Sequence, residues 1–278
     1  RTKGVWPLWY IGGRTAVDSR HGRARADGRR DVIRIIPVPL AARIAPGDDL
    51  VGLLVGAIAE AGEALADGDV LVVAQKPVSK AEGRVVDLAG VEPSAEALER
   101  ARDGGDARVV EVILRESAEV VRSRGSFIVG RTAQGHVLGS AGVDRSNQDA
   151  PDRVTLLPAD PDASARALRD GLRAATGADV AVVISDSIGR PFRRGTVGVA
   201  IGAAGFATVV EHAGRLDDTG RAFHSTQVHM ADQLASAAEL ALGPAGGVPA
   251  AIVRGVALEP GAEGAAGGII QRDRDLFA

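Results

Sequence analysis

The sequence predicts an α+β fold, a mixed α/β arrangement of mixed sheets with flanking helices, and three observations predict it. Short apolar runs rich in β-branched residues recur at Val32–Ile36, Val70–Ala74, Val180–Ile184 and Ala250–Val253, the length and composition of buried strands. Helical-period segments fall between them at irregular intervals, so neither strict βαβ alternation nor an all-β spacing is met. Three strand-like segments run straight into polar loops, at Gln75–Arg84, Ser140–Asn147 and Ser185–Gly195.

Composition narrows the function classes. A chain of 278 residues forms one large domain or two small ones and buries a real core. Aromatics are 3%, so that core must be Val, Ile, Leu and Ala. A net charge of −3 argues against nucleic acid or a membrane surface as the main partner. The absence of cysteine removes disulfides, thiolate metal sites and a cysteine nucleophile, and fits a reducing, cytoplasmic setting. No apolar run reaches the roughly 18 to 20 residues that span a bilayer.

Taken in order, residues 1–31 stand apart. Trp6, Trp9 and Tyr10 precede a run rich in Arg, Gly and Asp, and Pro7 breaks the patch Val5–Ile11, which makes a poor signal peptide. A disordered extension is expected here, with the globular domain over residues 32–278. Val32–Ile36 is a strand that Pro37 and Pro39 end. Gly47-Asp48-Asp49 opens an amphipathic helix to about Ala66, carrying Leu50, Leu53, Leu54 and Ile58 on one face. The turn Asp67–Asp69 leads to the strand Val70–Ala74. Ser94 caps a helix to about Arg102, and Ala107–Ser117 forms another. Phe127–Val129 and His136–Leu138 pair around the turn Thr132–Gly135. Asp160 as N-cap with Pro161 at the first helical position starts a helix to about Ala175. After the strand Val180–Ile184 come the Gly-spaced run Val197–Ala204 and the short strand Thr208–Val210. Ser225 or Thr226 is expected to cap a long helix ending at Gly243, before the last strand Ala250–Val253.

The loops carry the chemistry. Asp186 and Ser187, at the end of a buried strand, present oxygens suited to a hard cation, and Arg190, Arg193 and Arg194 offer planar forks for phosphate or carboxylate. The same residues would also serve as a strand end followed by a solvated basic turn. Asp144 and Asp186 either ligate an ion or cap their own turns. Lys76 and Lys80 either bind phosphate or are plain solvated lysines. No G-x-x-x-x-G-K-[ST] occurs and no G-x-G-x-x-G follows a strand, so there is neither a P-loop nor a Rossmann motif, and any nucleotide site is built another way. Of His21, His136, His212, His224 and His229, only the loose pair His224/His229 approaches zinc-ligand spacing, and all five read as structural or surface residues. Ser79, Ser146 and Ser187 lack an adjacent base motif, which argues against a serine hydrolase.

Taken together, the blocks Ile36-Pro37-Val38, Gly47–Leu50, Val78–Arg84, Ala141–Asp144, Ser146-Asn147, Leu156–Pro158, Asp160–Asp162, Ser185–Ser187, Gly189–Pro191 and Val199–Gly202 resemble the coenzyme F420-0:L-glutamate ligase (γ-glutamyl ligase) family over Val32–Ala278. The resemblance implies an α+β arrangement of two interleaved parts, acting as a homodimer. It implies GTP-dependent addition of L-glutamate to the carboxylate of F420-0 through an acyl phosphate, with Mg²⁺ or Mn²⁺ and with K⁺ as a further candidate cation. Metal positions fall on Asp144, Asp186 and Ser187. GTP contacts fall on Pro39, Leu40, Ala41, Ala42, Gln75, Lys76, Lys80 and Asn147, and in the loop Leu242–Val248 with Gly243, Gly246 and Gly247. Arg190, Arg193 and Arg194 remain for the anionic substrate by chemistry alone, and Arg190 joins Asp144 and Asp186 as a catalytic candidate. Ser140, Thr219, Val228 and Gln233 depart from the family pattern, leaving two alternatives open: a nucleotide- or anion-binding relative without catalysis, and a ligase for a different carboxylate. The ending Arg272–Phe277 resembles the junction at which relatives continue into a nitroreductase-like domain, so either a single-domain ligase or the N-terminal part of a fusion is expected.

Overall fold

Caps, turns and strand pairing set the element boundaries in the residues that the structure, a computed structural model, describes: 32–243 and 247–276. The expected extension at 1–31, Gly246 and Phe277 lie outside them. Strand β1 (Arg34–Val38) runs through Pro37 instead of ending at it, because β1 is an edge strand, where a missing N–H is tolerated. Helix α1 (Leu50–Glu60) is capped by Asp49, whose carboxylate accepts from the Gly52 N–H at 3.0 Å. The helix stops short of Ala66, since Gly62 turns the chain with a φ of +75°, a conformation that glycine adopts freely. Strand β2 (Val70–Ala74) passes directly into α2 (Gln75–Ala81), where the sequence suggests a polar loop. Pro77 lies in the first turn of α2, where a missing N–H costs nothing.

A lobe then begins with β3 (Val85–Asp87), α3 (Ala95–Arg100) capped by Ser94, and α4 (Ala107–Glu116) capped by Asp106. Strands β4 (Glu119–Arg124), β5 (Phe127–Arg131) and β6 (Val137–Gly139) form an antiparallel meander, and β7 (Arg153–Thr155) pairs with β3. Helix α5 (Pro161–Thr176) carries its Asp160 cap and ends at Gly177. Strand β8 (Ala181–Arg190) outruns the expected end at Ile184, because β9 (Arg193–Ala204) pairs with it as far as Arg190↔Arg193. The polar stretch after Ile184 is therefore hairpin rather than loop, turning at Pro191-Phe192. Strands β10 (Val209–Glu211) and β11 (Gln227–His229) follow. Residues 227–229 are taken up by that pairing, so α6 (Met230–Leu242) is capped by His229, not by Ser225 or Thr226. Among the described residues the last regular strand is β12 (Ala250–Arg254).

The main sheet has the order β1-β12-β2-β8-β9, mixed in sense: β2 and β8 run parallel and the other neighbours antiparallel. Alternate residues of β2 serve opposite cores. Leu71 and Val73 meet Leu54 and Ile58 of α1 and Leu168 and Leu172 of α5. Val70 and Val72 meet Leu234, Ala235 and Ala238 of α6. Burial on both faces accounts for the unbroken apolar run in the sequence. The lobe between α2 and α5 packs a separate core around Leu88, Val110, Ile113, Ile128 and Val154, so two parts are interleaved along the chain.

Two glycines let the helices close onto β9. A Cβ on Gly198 would stand 2.5 Å from the Ala235 carbonyl oxygen of α6, and one on Gly202 would stand 2.3 Å from that of Pro161. His136 is buried with Nε2 3.0 Å from the Ile201 carbonyl, a structural role.

Candidate active site

Parallel pairing of β2 with β8 builds the site. The register sets Ala74 opposite Ser185, so Gln75-Lys76 and Asp186-Ser187 leave the sheet side by side at its C-terminal edge, where open α/β sheets hold ligands. A register shift between Ile184 and Ser185 re-aims the side chains that follow. The segments around Leu40–Ile44 and Asp144–Asp149, with the last turn of α6, complete a cleft of about 520 Å³.

The Asp144 loop is held from several sides. Ser140 and Ala141 take φ values of 54° and 49° ahead of it, and Asn147 takes 55° within it, conformations that surrounding contacts must stabilise. Asp144 and Thr155 exchange both backbone hydrogen bonds, at 2.9 and 2.8 Å. Gln148 Nε2 donates to the Asp144 carbonyl and to Thr155 Oγ1. Within the loop, the Ser146 N–H donates to Asp144 Oδ1 at 2.6 Å.

Lys76 Nζ lies 2.8 Å from Asp144 Oδ2 and 2.6 Å from Ser146 Oγ. One helical turn on, Lys80 Nζ donates to the Asn147 carbonyl at 2.9 Å. Both lysines thus lean from α2 onto one loop, an i,i+4 pairing that only the helix makes available. Gln75 is 2% exposed; its Oε1 accepts from Ser79 Oγ at 2.7 Å, and its Nε2 has no partner among the described residues. A buried amide donor in this state is costly and free to serve a ligand. Leu40 N–H donates to the Gly247 carbonyl at 2.9 Å, tying together two segments expected to border the nucleotide.

The two acids differ in charge state. Burial pushes Asp186 up to about 6, with the Asp144 and Glu239 carboxylates adding to the rise against the Ser187 N–H and Lys76. Burial would also raise Asp144, but the hydrogen bonds from Lys76 and Ser146 outweigh it and hold Asp144 below its ordinary value. One carboxylate is firmly ionised and its neighbour holds its proton more tightly.

Of the residues expected from the sequence, the cleft is lined by Asp144, Asp186, Ser187, Leu40, Ala42, Gln75, Lys76, Lys80, Asn147, Gly243 and Gly247. Pro39 and Ala41 flank lining residues. Arg190, Arg193 and Arg194 sit at the tip of the β8–β9 hairpin, outside the lining. Glu239 and Gln148 also line the cleft, and no sequence pattern singles them out. An acid on the last turn of a helix carries no distinguishing signal of its own.

Among the described residues no three His, Cys, Asp or Glu side chains form a ready-made metal cage. The donors that are present, Asp144, Asp186 and the Ser187 hydroxyl, are hard oxygens. They fit Mg²⁺ or Mn²⁺, which take one or two carboxylates and complete their shells with water and phosphate oxygens.

A concave cleft with convergent lysines and carboxylates at the C-terminal edge of a mixed sheet has the form of a small-molecule site. Residues 40–255 match the sequence model of the F420-0:Gamma-glutamyl ligase family, and the chain belongs to that family. It is 47% identical over 225 residues, 80% of this chain and 89% of the relative, to the coenzyme F420:L-glutamate ligase of Methanothermobacter thermautotrophicus. It is 50% identical over 231 residues, 82% and 89% of the two chains, to the protein of that name from Methanopyrus kandleri. A third, from Haloarcula marismortui, is 43% identical over 220 residues, 76% and 82% of the two chains. No helix among the described residues is long and apolar enough to cross a membrane.

Proposed function

We propose that this protein is a GTP-dependent ligase that joins L-glutamate to the carboxylate of F420-0. The observation that carries the reading is the convergence of Lys76, Lys80, Asp144, Asp186 and Ser187 on one cleft, within a chain similar to coenzyme F420:L-glutamate ligases. In the first step an acceptor carboxylate oxygen attacks the γ-phosphorus, the bond to the β-phosphate oxygen breaks, and GDP leaves. In the second the glutamate amine, having lost one proton to solvent, attacks the acyl carbon; the C–O bond to phosphate breaks, the amide forms, and phosphate departs as hydrogen phosphate with the second amine proton.

Lys76 and Lys80 supply positive charge for the β- and γ-phosphates, and Gln75 Nε2 supplies a preformed amide donor. Asp144, Asp186 and Ser187 would hold Mg²⁺ or Mn²⁺, which neutralises phosphate charge during transfer. Phosphoryl transfer asks for positioning and charge neutralisation more than covalent help, and these residues offer both. A homodimer belongs to the same reading and is tested by sedimentation.

The test is mass spectrometry of F420-0, glutamate, GTP and Mg²⁺ incubated with the protein. Formation of the glutamyl product with release of GDP and phosphate supports the ligase. GDP release only with another carboxylate makes the acceptor different. Nucleotide binding without release under any acceptor makes the protein a binding relative.

A further inference from the structure

Glu239 is placed where a stability argument would not put it. It lies in the last turn of α6, which has no basic residue and whose exposed carbonyls already project negative potential. No cation pairs with it among the described residues. Its contact is instead with Ser187: the Ser187 hydroxyl donates to Glu239 Oε1 at 2.5 Å.

The fold brings the two residues together through glycine. Ser187 of β8 stands opposite Gly198 of β9. Gly198 in turn receives α6, with Ser236 Oγ donating to its carbonyl at 2.7 Å and Ala235 packed where a side chain would be. One turn beyond Ser236, the helix presents Glu239 back across the ladder to Ser187. A serine hydroxyl has one proton and two lone pairs, so whatever accepts the proton decides where the lone pairs point.

We propose that Glu239 is a positioning residue for the divalent ion: it takes the hydrogen bond of the Ser187 hydroxyl and so aims the Ser187 oxygen at a cation held by Asp186 and Asp144. The inference rests on the metal-assisted reading above. Partners that orient a ligand in this way typically govern metal affinity by about 10- to 100-fold.

The experiment is titration of the full chain with Mn²⁺, free ion read by electron paramagnetic resonance, for wild type, Ser187→Ala, Glu239→Leu and the double variant, each with its Tm recorded. Glu239→Leu and Ser187→Ala are each expected to weaken Mn²⁺ binding by about 10-fold or more. The double variant is expected to be no weaker than the weaker single, because both changes remove one unit. Glu239→Gln keeps an oxygen that accepts from the hydroxyl, and is expected to bind Mn²⁺ more tightly than Glu239→Leu. Unchanged Mn²⁺ affinity in Glu239→Leu overturns the proposal. Losses that multiply in the double variant also overturn it, since Glu239 would then act on the ion independently of Ser187. A wild-type protein that takes up no Mn²⁺ overturns the metal reading itself, and this role with it.

Discussion

Lys76 rests its ammonium 2.8 Å from Oδ2 of Asp144, joining a helix of the main sheet to a loop of the inserted lobe through one ion pair. The pair is half-buried on both sides, with side-chain exposures of 26% and 30%, so it is screened less than a surface pair. Asp186, on the neighbouring strand end, has no such ion-pair partner among the described residues.

Lysine removal tests the phosphate assignment. Lys76→Met and Lys80→Met are each expected to weaken GTP binding by about 1.5 to 3 kcal/mol, the range of a charge-assisted hydrogen bond. Calorimetry that finds GTP affinity intact in both would confine the two lysines to holding the 144–147 loop.

The raised Asp186 makes stability fall as pH rises in the metal-free protein. Its carboxyl titrates near 6 when folded against an ordinary 3.8. Below about pH 4 both states are protonated and nothing is lost. Between about pH 4 and 6 the unfolded chain releases the proton first, so folding weakens, by on the order of 2 to 3 kcal/mol once both values are passed. Asp186→Asn should therefore raise Tm at about pH 7.5 and leave it nearly unchanged at about pH 4. Equal Tm differences at both values would contradict the assignment. Mg²⁺, by favouring the ionised form, should narrow the gap at the higher pH.

Gly198→Ala drives a methyl to within 2.5 Å of the Ala235 carbonyl. Backbone on the opposing helix yields poorly, and a loss of about 1 to 3 kcal/mol in denaturant unfolding is expected. Gly189, on the partner strand, has nothing within 4 Å of the place where a methyl would stand, so Gly189→Ala serves as the control and should cost much less.

Arg190, Arg193 and Arg194 have no ion-pair partner among the described residues and belong to the hairpin tip. Replacing all three with Gln is expected to raise KM for the anionic acceptor by about 10-fold, the scale of one lost charged contact, while leaving the Kd for GTP unchanged. A fall in GTP affinity of the same size would move these arginines to the nucleotide instead.

The sheet is legible in the sequence because its strands are buried on both faces: Val70–Ala74 and Ala250–Val253 read as apolar runs with no competing pattern. Helix α2 is not, since two lysines and Pro77 in seven residues carry loop composition, and only the docking of Val78 and Ser79 into the core makes the helix. The second half of β8 is hidden for the opposite reason. Its polar residues stay extended only because β9, arriving later in the chain, supplies the ladder. In the cleft, residues that follow apolar strands can be found from sequence, as strand ends gather at one edge. Glu239 cannot, because its meaning lies in contact with Ser187, 52 residues away.

Strand β12 slots between β1 and β2, and pairs Val70 with Val253. During synthesis the apolar edge Val70–Ala74 therefore waits for a partner that emerges about 180 residues later, on the order of 10 to 40 s at ribosomal speed. Strand β8 covers one side of β2 earlier, but until β12 emerges the other side remains an open, uncharged strand edge of the kind that recruits other chains. The burden on the cell's chaperones is then set by the time between these two strands, and a ribosome stalled before Ala250 would release an aggregating product even though every residue of the acid and lysine cluster has already been made.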